Sequence, residues 1–538
     1  MSLKNTKNTL AIAEWQSFGI SDIEKSLVRG GALDSSAKTK AERAFKELQD
    51  FAKEKENQKF INFYGANQLK AQNFVGLIQT KSGFCLEILP KIFRDDIKLS
   101  QAESMQKEPS ENSKNSADSA ISPESKNTES KNIESKDKDS ASPTLQARTL
   151  LINLLKSLRD SPFKQSNIAS LHTQNMPLLE VFVRMFLGEL DRLIKRGIKS
   201  DYILEEENRL FLKGKLLFSE NLKYNFAHKE RFFTQSDEYS PNIAPNRIIS
   251  STLALLSTQN FSSETSRILN QMRFIFADIP PSRHLESDFA KSHQNANLRQ
   301  FDAYQNILAW CAIFLRHHSP TPYNGVHKAF ALLFDMNELF ESFVAQELKK
   351  YSKNTDFYIK TQENSKYLIT HNGKNKFNMR PDIVLYKKEE TQNKNIIAIA
   401  DTKWKMLDFA RADSGILQAD LYQLFAYLAK YEAHHGIIIY PRIDEVREIC
   451  YKYRAHIYTS APTESSANAD SSAESKADAK SSAQDSSHKN QPSLTIAFFD
   501  VRAWSEPDTL HKNHEKYQIA QDATSDFAEK YLKILEIL

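Results

Sequence analysis

"MRPDIVLYKKEETQNKNIIAIADTKWK", residues 379–405, reads as two strands joined by a polar turn. Both apolar runs have the look of buried strands, yet the pair carries Asp382, Asp401 and Lys403. Ionised groups in such places are costly unless they are paired or bound to a metal. Side chains alternate along a strand, so Asp401 and Lys403 point to one face. With residues 387–395 as the turn, Asp382 comes to lie beside Asp401. Two neighbouring carboxylates repel unless a divalent cation sits between them. Oxygen-only donors suit Mg²⁺, with the backbone carbonyl of Thr402 as a third protein ligand. Such an ion would polarise a phosphate and activate a water, and Lys403 would orient that water and stabilise developing charge.

The flanking sequence supports a mixed α/β unit. Before the strands, "FDMNELFESFVAQELKKY" (334–351) is an amphipathic helix. It carries Glu341, read either as a further metal-shell carboxylate or as a solvated helix residue. "DFYIKTQ" (356–362) is a short strand. After the strands, "DLYQLFAYLAKY" (420–431) is a helix with Gln423 and Tyr427 four apart on one face. Gln423 is placed to hold Lys403 or the water, and Tyr427 to touch a phosphate; core hydrogen bonding is the plain alternative for both. "GIIIYP" (436–441) and "LTIAFFDV" (494–501) add strands to a central mixed sheet. Acidic-x-Lys alone means little, since Glu124-Ser125-Lys126 and Asp478-Ala479-Lys480 match it in low-complexity sequence. What raises Asp401 and Lys403 above a surface ion pair is the apolar run before them, the Pro-Asp strand upstream and the Gln-x-x-x-Tyr helix downstream.

Two stretches, about 101–145 and 460–493, are Ser, Lys, Asp, Glu, Asn and Ala with almost nothing to bury. They are expected to be disordered surface insertions. Upstream, "NFVGLIQTKSGFCLEIL" (73–89) is a hairpin around Lys81-Ser82-Gly83. Residues 147–198 turn helical, with Gly197 as a cap. "LEEENRLFLKGKLLFSENLKY" (204–224) reads as short strands or a hairpin, and helices return at 245–257 and 299–318. The expected organisation is thus 1–100 β-rich, 101–145 insertion, 146–330 helical and mixed, and 331–538 α/β, with 460–493 inserted in the last.

The bulk numbers set limits. At 538 residues the chain exceeds one typical domain. A net charge of +4 neither demands nor excludes a nucleic-acid partner, so any basic surface must be local. Cys85, Cys311 and Cys450 lack metal-type spacing, and the pairs His317-His318 and His434-His435 lack a zinc pattern. There is no GxxxxGK[ST] loop and no GxSxG elbow, so the chain is not expected to hydrolyse nucleotides by itself. No long apolar run suggests a signal peptide or a membrane span, and a cytoplasmic location is expected.

Together, Pro381-Asp382, Asp401-Thr402-Lys403 and Gln423-x-x-x-Tyr427 resemble the PD-(D/E)xK nuclease core. "LLFDMNELFESFVAQEL" (332–348), "FVGLIQTKSGFCLEILPKI" (74–92), "LDRLIKRGIKSDYILEEENRLFLKGKLLF" (190–218) and "YSPNIAPNRII" (239–249) narrow this. They are similar to the McrC family, the nuclease subunits of 5-methylcytosine-specific McrBC restriction systems, over about residues 60–499. The resemblance implies a restriction-endonuclease-like C-terminal domain and a Mg²⁺-dependent endodeoxyribonuclease. Asp382, Asp401 and Lys403 would be its catalytic motif. It further implies an AAA+ GTPase partner of the McrB type, docked by about residues 60–330, and double-stranded DNA with modified cytosine as substrate. Two other readings remain open at this point: a catalytically vestigial activator of the GTPase, and a stand-alone repair nuclease of the same fold.

Overall fold

The computed structural model describes residues 8–28, 35–65, 67–99, 141–158, 162–164, 176–295, 301–316, 330–388, 395–442, 449–452, 492–506, 509 and 515–532. Most of both Ser/Lys-rich stretches, the tip of the turn at 389–394 and His317-His318 lie outside them.

In the N-terminal half, strands β1 (Thr9–Ala13), β2 (Ser17–Gly19), β3 (Ile61–Phe63), β4 (Gln68–Ala71), β5 (Phe74–Gln79) and β6 (Cys85–Leu89) surround two helices, Ile20–Leu27 and Ser35–Lys53. The expected hairpin is β5–β6, turned by Gly83 at φ 80°. Alternation along these strands divides the core. Leu86, Ile88 and Ile78 join Phe45, Leu48 and Phe51 of the Ser35–Lys53 helix on one face. Val75, Leu77 and Leu89 join the helices Pro143–Ser157 and Leu178–Arg196 on the other. Gly197 ends the latter helix at φ 91°. Next comes a three-stranded sheet of β7 (Asp201–Arg209), β8 (Lys215–Leu216) and β9 (Phe232–Ser240), in the order β7-β9-β8. The stretch expected as strands through residue 224 differs at its end, where Phe218–Asn225 is a helix. Hydrogen bonds hold it there: Phe233 N donates to Asn221 Oδ1 at 2.9 Å, and Asn225 pairs with Asn208 at 2.8 Å. Four further helices follow, Ala244–Leu256, Ser263–Ile275, Leu285–Asn295 and Asp302–Arg316.

β10 (Phe330–Asp335) then pairs antiparallel with β5, completing a sheet of order β1-β6-β5-β10. The expected boundary at residue 331 falls inside this strand. Asp335 closes it and caps the next helix, Met336–Tyr351, by accepting from Asn337 N at 2.8 Å. The chain therefore passes from one half to the other with no linker.

The C-terminal half is built on a six-stranded mixed sheet of order β11-β14-β15-β16-β18-β17. Its strands are β11 (Phe357–Thr361), β14 (Ile383–Lys387), β15 (Ile396–Thr402), β16 (His435–Pro441), β17 (Ile449–Lys452) and β18 (Ser493–Phe499). The expected central mixed sheet is present: β15, β16 and β18 run parallel and the others antiparallel to their neighbours. Between β11 and β14 the chain makes a separate hairpin, β12 (Lys366–His371) and β13 (Lys374–Met379). Strict alternation again splits the core. Ala398, Ala400, Ile437 and Ile439 face the side of the Met336–Tyr351 helix and share one core with the N-terminal half. Ile399, Ile438 and Tyr440 face the Gln418–Tyr431 helix. A last helix, Glu515–Leu532, packs beside the first of these.

Candidate active site

The register decides where the charges meet. In the β14–β15 ladder Ile383 lies opposite Ala400, so the next step sets Asp382 opposite Asp401 at the end of the pair. Asp382 Oδ2 accepts from both Thr402 N and Thr402 Oγ1, each at 2.8 Å. Thr402 thus enters the site by its N–H and hydroxyl, as the clamp that fixes Asp382. Lys403 Nζ stands 2.5 Å from Asp401 Oδ2 and donates to Gln423 Oε1 at 3.2 Å. Gln423 Nε2 in turn donates to Tyr427 Oη at 3.0 Å. Tyr427, expected to face a phosphate, is buried and gives its proton to the Arg380 carbonyl at 3.3 Å. The Gln418–Tyr431 helix therefore acts as a bracket: it holds the ammonium at one end and the start of the Asp382 segment at the other.

Glu341 reaches the same place from the Met336–Tyr351 helix. It is held by Gln362 Nε2, whose backbone N–H donates to the Asp382 carbonyl at 3.0 Å. Gln362 adopts φ 54°, a strained conformation for a residue with a Cβ. No local pattern marks Gln362; only the fold brings it between Glu341 and Asp382.

The three carboxylates share one electrostatic problem. Burial pushes Glu341 up to about 7, and the Asp382 and Asp401 charges add to it. Burial, then Asp382, pushes Asp401 up to about 6. Burial also raises Asp382, against the hydrogen bonds from Thr402. For Lys403 burial acts downward, but the Asp401 and Asp382 charges outweigh it and the ammonium is stabilised. A half-buried ammonium thus stands against the Asp401 and Asp382 carboxylates, with the Glu341 carboxyl next to them. Among the described residues no group of three or more His, Cys, Asp and Glu forms a ready-made metal cage. The donor chemistry nevertheless fits Mg²⁺, which takes one or two carboxylates and fills the rest of its shell with water and phosphate oxygens.

A second feature joins the halves beside this site. Trp404, next after Lys403, is buried against Phe340 at 5.2 Å between ring centroids. Its Nε1 donates to Glu14 Oε1 at 2.9 Å, and its carbonyl accepts from Lys91 Nζ at 2.7 Å. Glu14 Oε1 also accepts from Lys91 N at 3.0 Å, while Glu14 Oε2 is buried without a hydrogen-bond partner among the described residues.

A family model described as "McrBC 5-methylcytosine restriction system component" matches residues 69–441. The chain belongs to the McrBC family. The McrBC match takes in Glu341, Asp382, Asp401, Lys403, Gln423 and Tyr427. The chain is 23% identical over 308 residues to the type IV methyl-directed restriction enzyme EcoKMcrBC of Escherichia coli K12, covering 54% of this chain and 83% of that protein. Its fold is similar to a chain in the half-complex of a tetradecameric assembly of Thermococcus gammatolerans McrB AAA+ hexamers with bound McrC. That likeness has a TM-score of 0.54 at 16% identity and covers 96% of this chain and 99% of that one. The mixed α/β architecture with several sheets is thus shared with an McrBC structure. No described helix is long and apolar enough to cross a membrane.

Proposed function

We propose that this McrBC component is the McrC-type nuclease subunit, a Mg²⁺-dependent endonuclease with a PD-(D/E)xK core. It would hydrolyse phosphodiester bonds in double-stranded DNA containing 5-methylcytosine and stimulate an AAA+ GTPase of the McrB type. The observation that carries this reading is the placement of Asp382, Asp401 and Lys403 at the shared end of β14 and β15.

Asp382 and Asp401 would hold the ion, with the Thr402 carbonyl and Glu341 as further ligands. Bound there, the ion supplies positive charge at the phosphate and lowers the pKa of a coordinated water. The chain's own residues do the rest. Lys403, kept protonated by Asp401, presents an ammonium to the phosphoryl oxygens as negative charge builds on them. Gln423 and Tyr427 keep that ammonium from swinging away. Thr402 keeps Asp382 turned into the site.

Docking to the GTPase is assigned to the region 60–330. The segment from β7 to β9, with the Phe218–Asn225 helix inside it, supports this, since it exposes Tyr202, Leu210, Phe211, Phe218, Phe226 and Tyr239. Exposed apolar side chains in such number suit a protein partner.

The test is reconstitution: purified chain, McrB-type partner, GTP, Mg²⁺ and methylated duplex DNA. Double-strand cleavage that Asp401→Ala removes is the expected result. GTP turnover without cleavage by the unaltered chain overturns the nuclease assignment and leaves an activator. Cleavage without partner or GTP overturns the two-component assignment.

A further inference from the structure

The β12–β13 hairpin is not used by the chemistry above, yet it leads directly into it. Its outgoing strand ends at Met379, followed by Arg380, Pro381 and Asp382. Its base is pinned to the helix that holds Lys403. Tyr431 Oη donates to the carbonyls of Met379 and Glu363, each at 3.3 Å, and Tyr427 Oη to that of Arg380. Beyond that base the hairpin is exposed and stands clear of the other described residues. Asn372 and Gly373 make its tip at φ 50° and 70°, the left-handed pair of a tight two-residue turn. Six-residue strands give it a reach of about 20 Å.

Its composition departs from the rest of the chain. Residues 364–380 contain Lys366, Lys374, Lys376 and Arg380 and no Asp or Glu, in a chain with 72 basic and 68 acidic residues. None of these four is ion-paired among the described residues, and all are exposed. Phe377 is 67% exposed at φ 57° and interrupts the ladder between the Tyr367–Asn378 and Ile369–Lys376 pairs. A bulky residue held in that conformation and turned to solvent is a feature that packing does not explain.

We propose that the β12–β13 hairpin is the DNA-gripping element of this chain, its lysines on backbone phosphates and Phe377 against the groove, laying the duplex across Asp382 and Asp401. This rests on the nuclease reading. A two-stranded ribbon fits the major groove of B-DNA. The unopposed positive charge favours a polyanion over a protein surface, for which the exposed Leu368 and Ile369 would be the argument.

The experiment measures binding of the full chain to a short fluorescent DNA duplex, without Mg²⁺, from about 50 to 200 mM salt. Lys374→Glu/Lys376→Glu is compared with the unaltered chain. The expected result is a loss of affinity of at least about tenfold and a salt slope shallower by about 2, one phosphate contact per lysine. Phe377→Ala is expected to weaken binding with the slope unchanged. Unaltered thermal unfolding of both variants confirms that the exposed hairpin was changed without loss of fold. Unchanged affinity and slope overturn the proposal, as does failure of the unaltered chain to bind. Unchanged DNA affinity with lost stimulation of the GTPase overturns it too, and makes the hairpin a protein-docking element. The assay needs no cleavage, so the two readings fail separately. An inactive chain whose hairpin variant loses DNA refutes only the nuclease, and an active one whose variant binds and cuts normally refutes only the hairpin.

Discussion

Replacing Glu14 by Gln tests the contact between the halves. Burial raises the Glu14 carboxyl from its ordinary 4.5 to about 7, although the Lys91 charge and the bonds from Trp404 and Lys91 pull it down. Lys91 is shifted downward, also by burial first. Each group therefore loses more hydration than the other returns. The sign follows from proton binding. Between pH 4.5 and about 7 the folded chain holds a proton here that the unfolded chain has released. The contribution of Glu14 to stability therefore falls as pH rises through that window and is level above it. The span amounts to roughly 3 kcal/mol. A glutamine keeps Oε1 for Trp404 Nε1 and Lys91 N and never ionises. Its amide N–H groups fall where Glu14 Oε2 has no partner, at a cost of about 1–3 kcal/mol that does not depend on pH. Denaturant unfolding of both proteins from about pH 5 to pH 8 is the assay. The variant should gain on the unaltered chain by about 2.5 kcal/mol across that range, whatever the offset at pH 5. A difference that stays constant with pH would show that Glu14 is ionised throughout, and the account of this contact would be wrong.

Asp401→Ala should abolish cleavage while leaving stimulation of the GTPase intact, because Asp401 lies in the C-terminal sheet and docking is assigned to 60–330; lost stimulation in a folded variant refutes that division. Lys403→Ala should lower the cleavage rate by about a hundredfold or more with Mg²⁺ affinity kept, read by single-turnover kinetics across Mg²⁺ concentrations. Mg²⁺ should raise the thermal midpoint of the chain more at pH 8 than at pH 5.5. Glu341 and Asp401, at about 7 and about 6, must lose their protons to take a cation, and equal shifts at both pH values would remove them from the ligand set. Gly76→Ala should cost about 3 kcal/mol or more. Gly76 has φ 134°, and an added Cβ would sit 2.0 Å from the Leu332 carbonyl oxygen across the β5–β10 pair. An unaltered unfolding midpoint would refute this.

Much of the C-terminal half was legible because its central strands are short apolar runs, and in β15 a single acid, Asp401, interrupts one of them. The order of helix, strands, helix and strand could be read from period alone, and the alternation that puts Asp401 and Lys403 on one face is a local property of β15. The β12–β13 hairpin was missed although Asn372-Gly373 is a strong turn signal. Its flanks carry Lys, Asn and Thr in place of an apolar alternation, because neither face is buried. Gln362 and the Glu14–Trp404 bond were not legible at all. The latter joins residues 390 apart and depends on how two sheets share a core, which no local pattern encodes. The Phe218–Asn225 helix was misread as strand because eight residues hold too little period, and asparagine bonds to β9 decide it.

The unbroken run from β10 into the Met336–Tyr351 helix has a practical consequence for anyone seeking the C-terminal half alone. Truncation at 331 would tear most of a strand from β5 and strip that edge of its hydrogen bonds, leaving both fragments sticky. It would also discard Glu14 and Lys91, the groups that seat Trp404. Mutations at the candidate site within the whole chain are therefore the better instrument for separating the proposed cutting from the proposed docking.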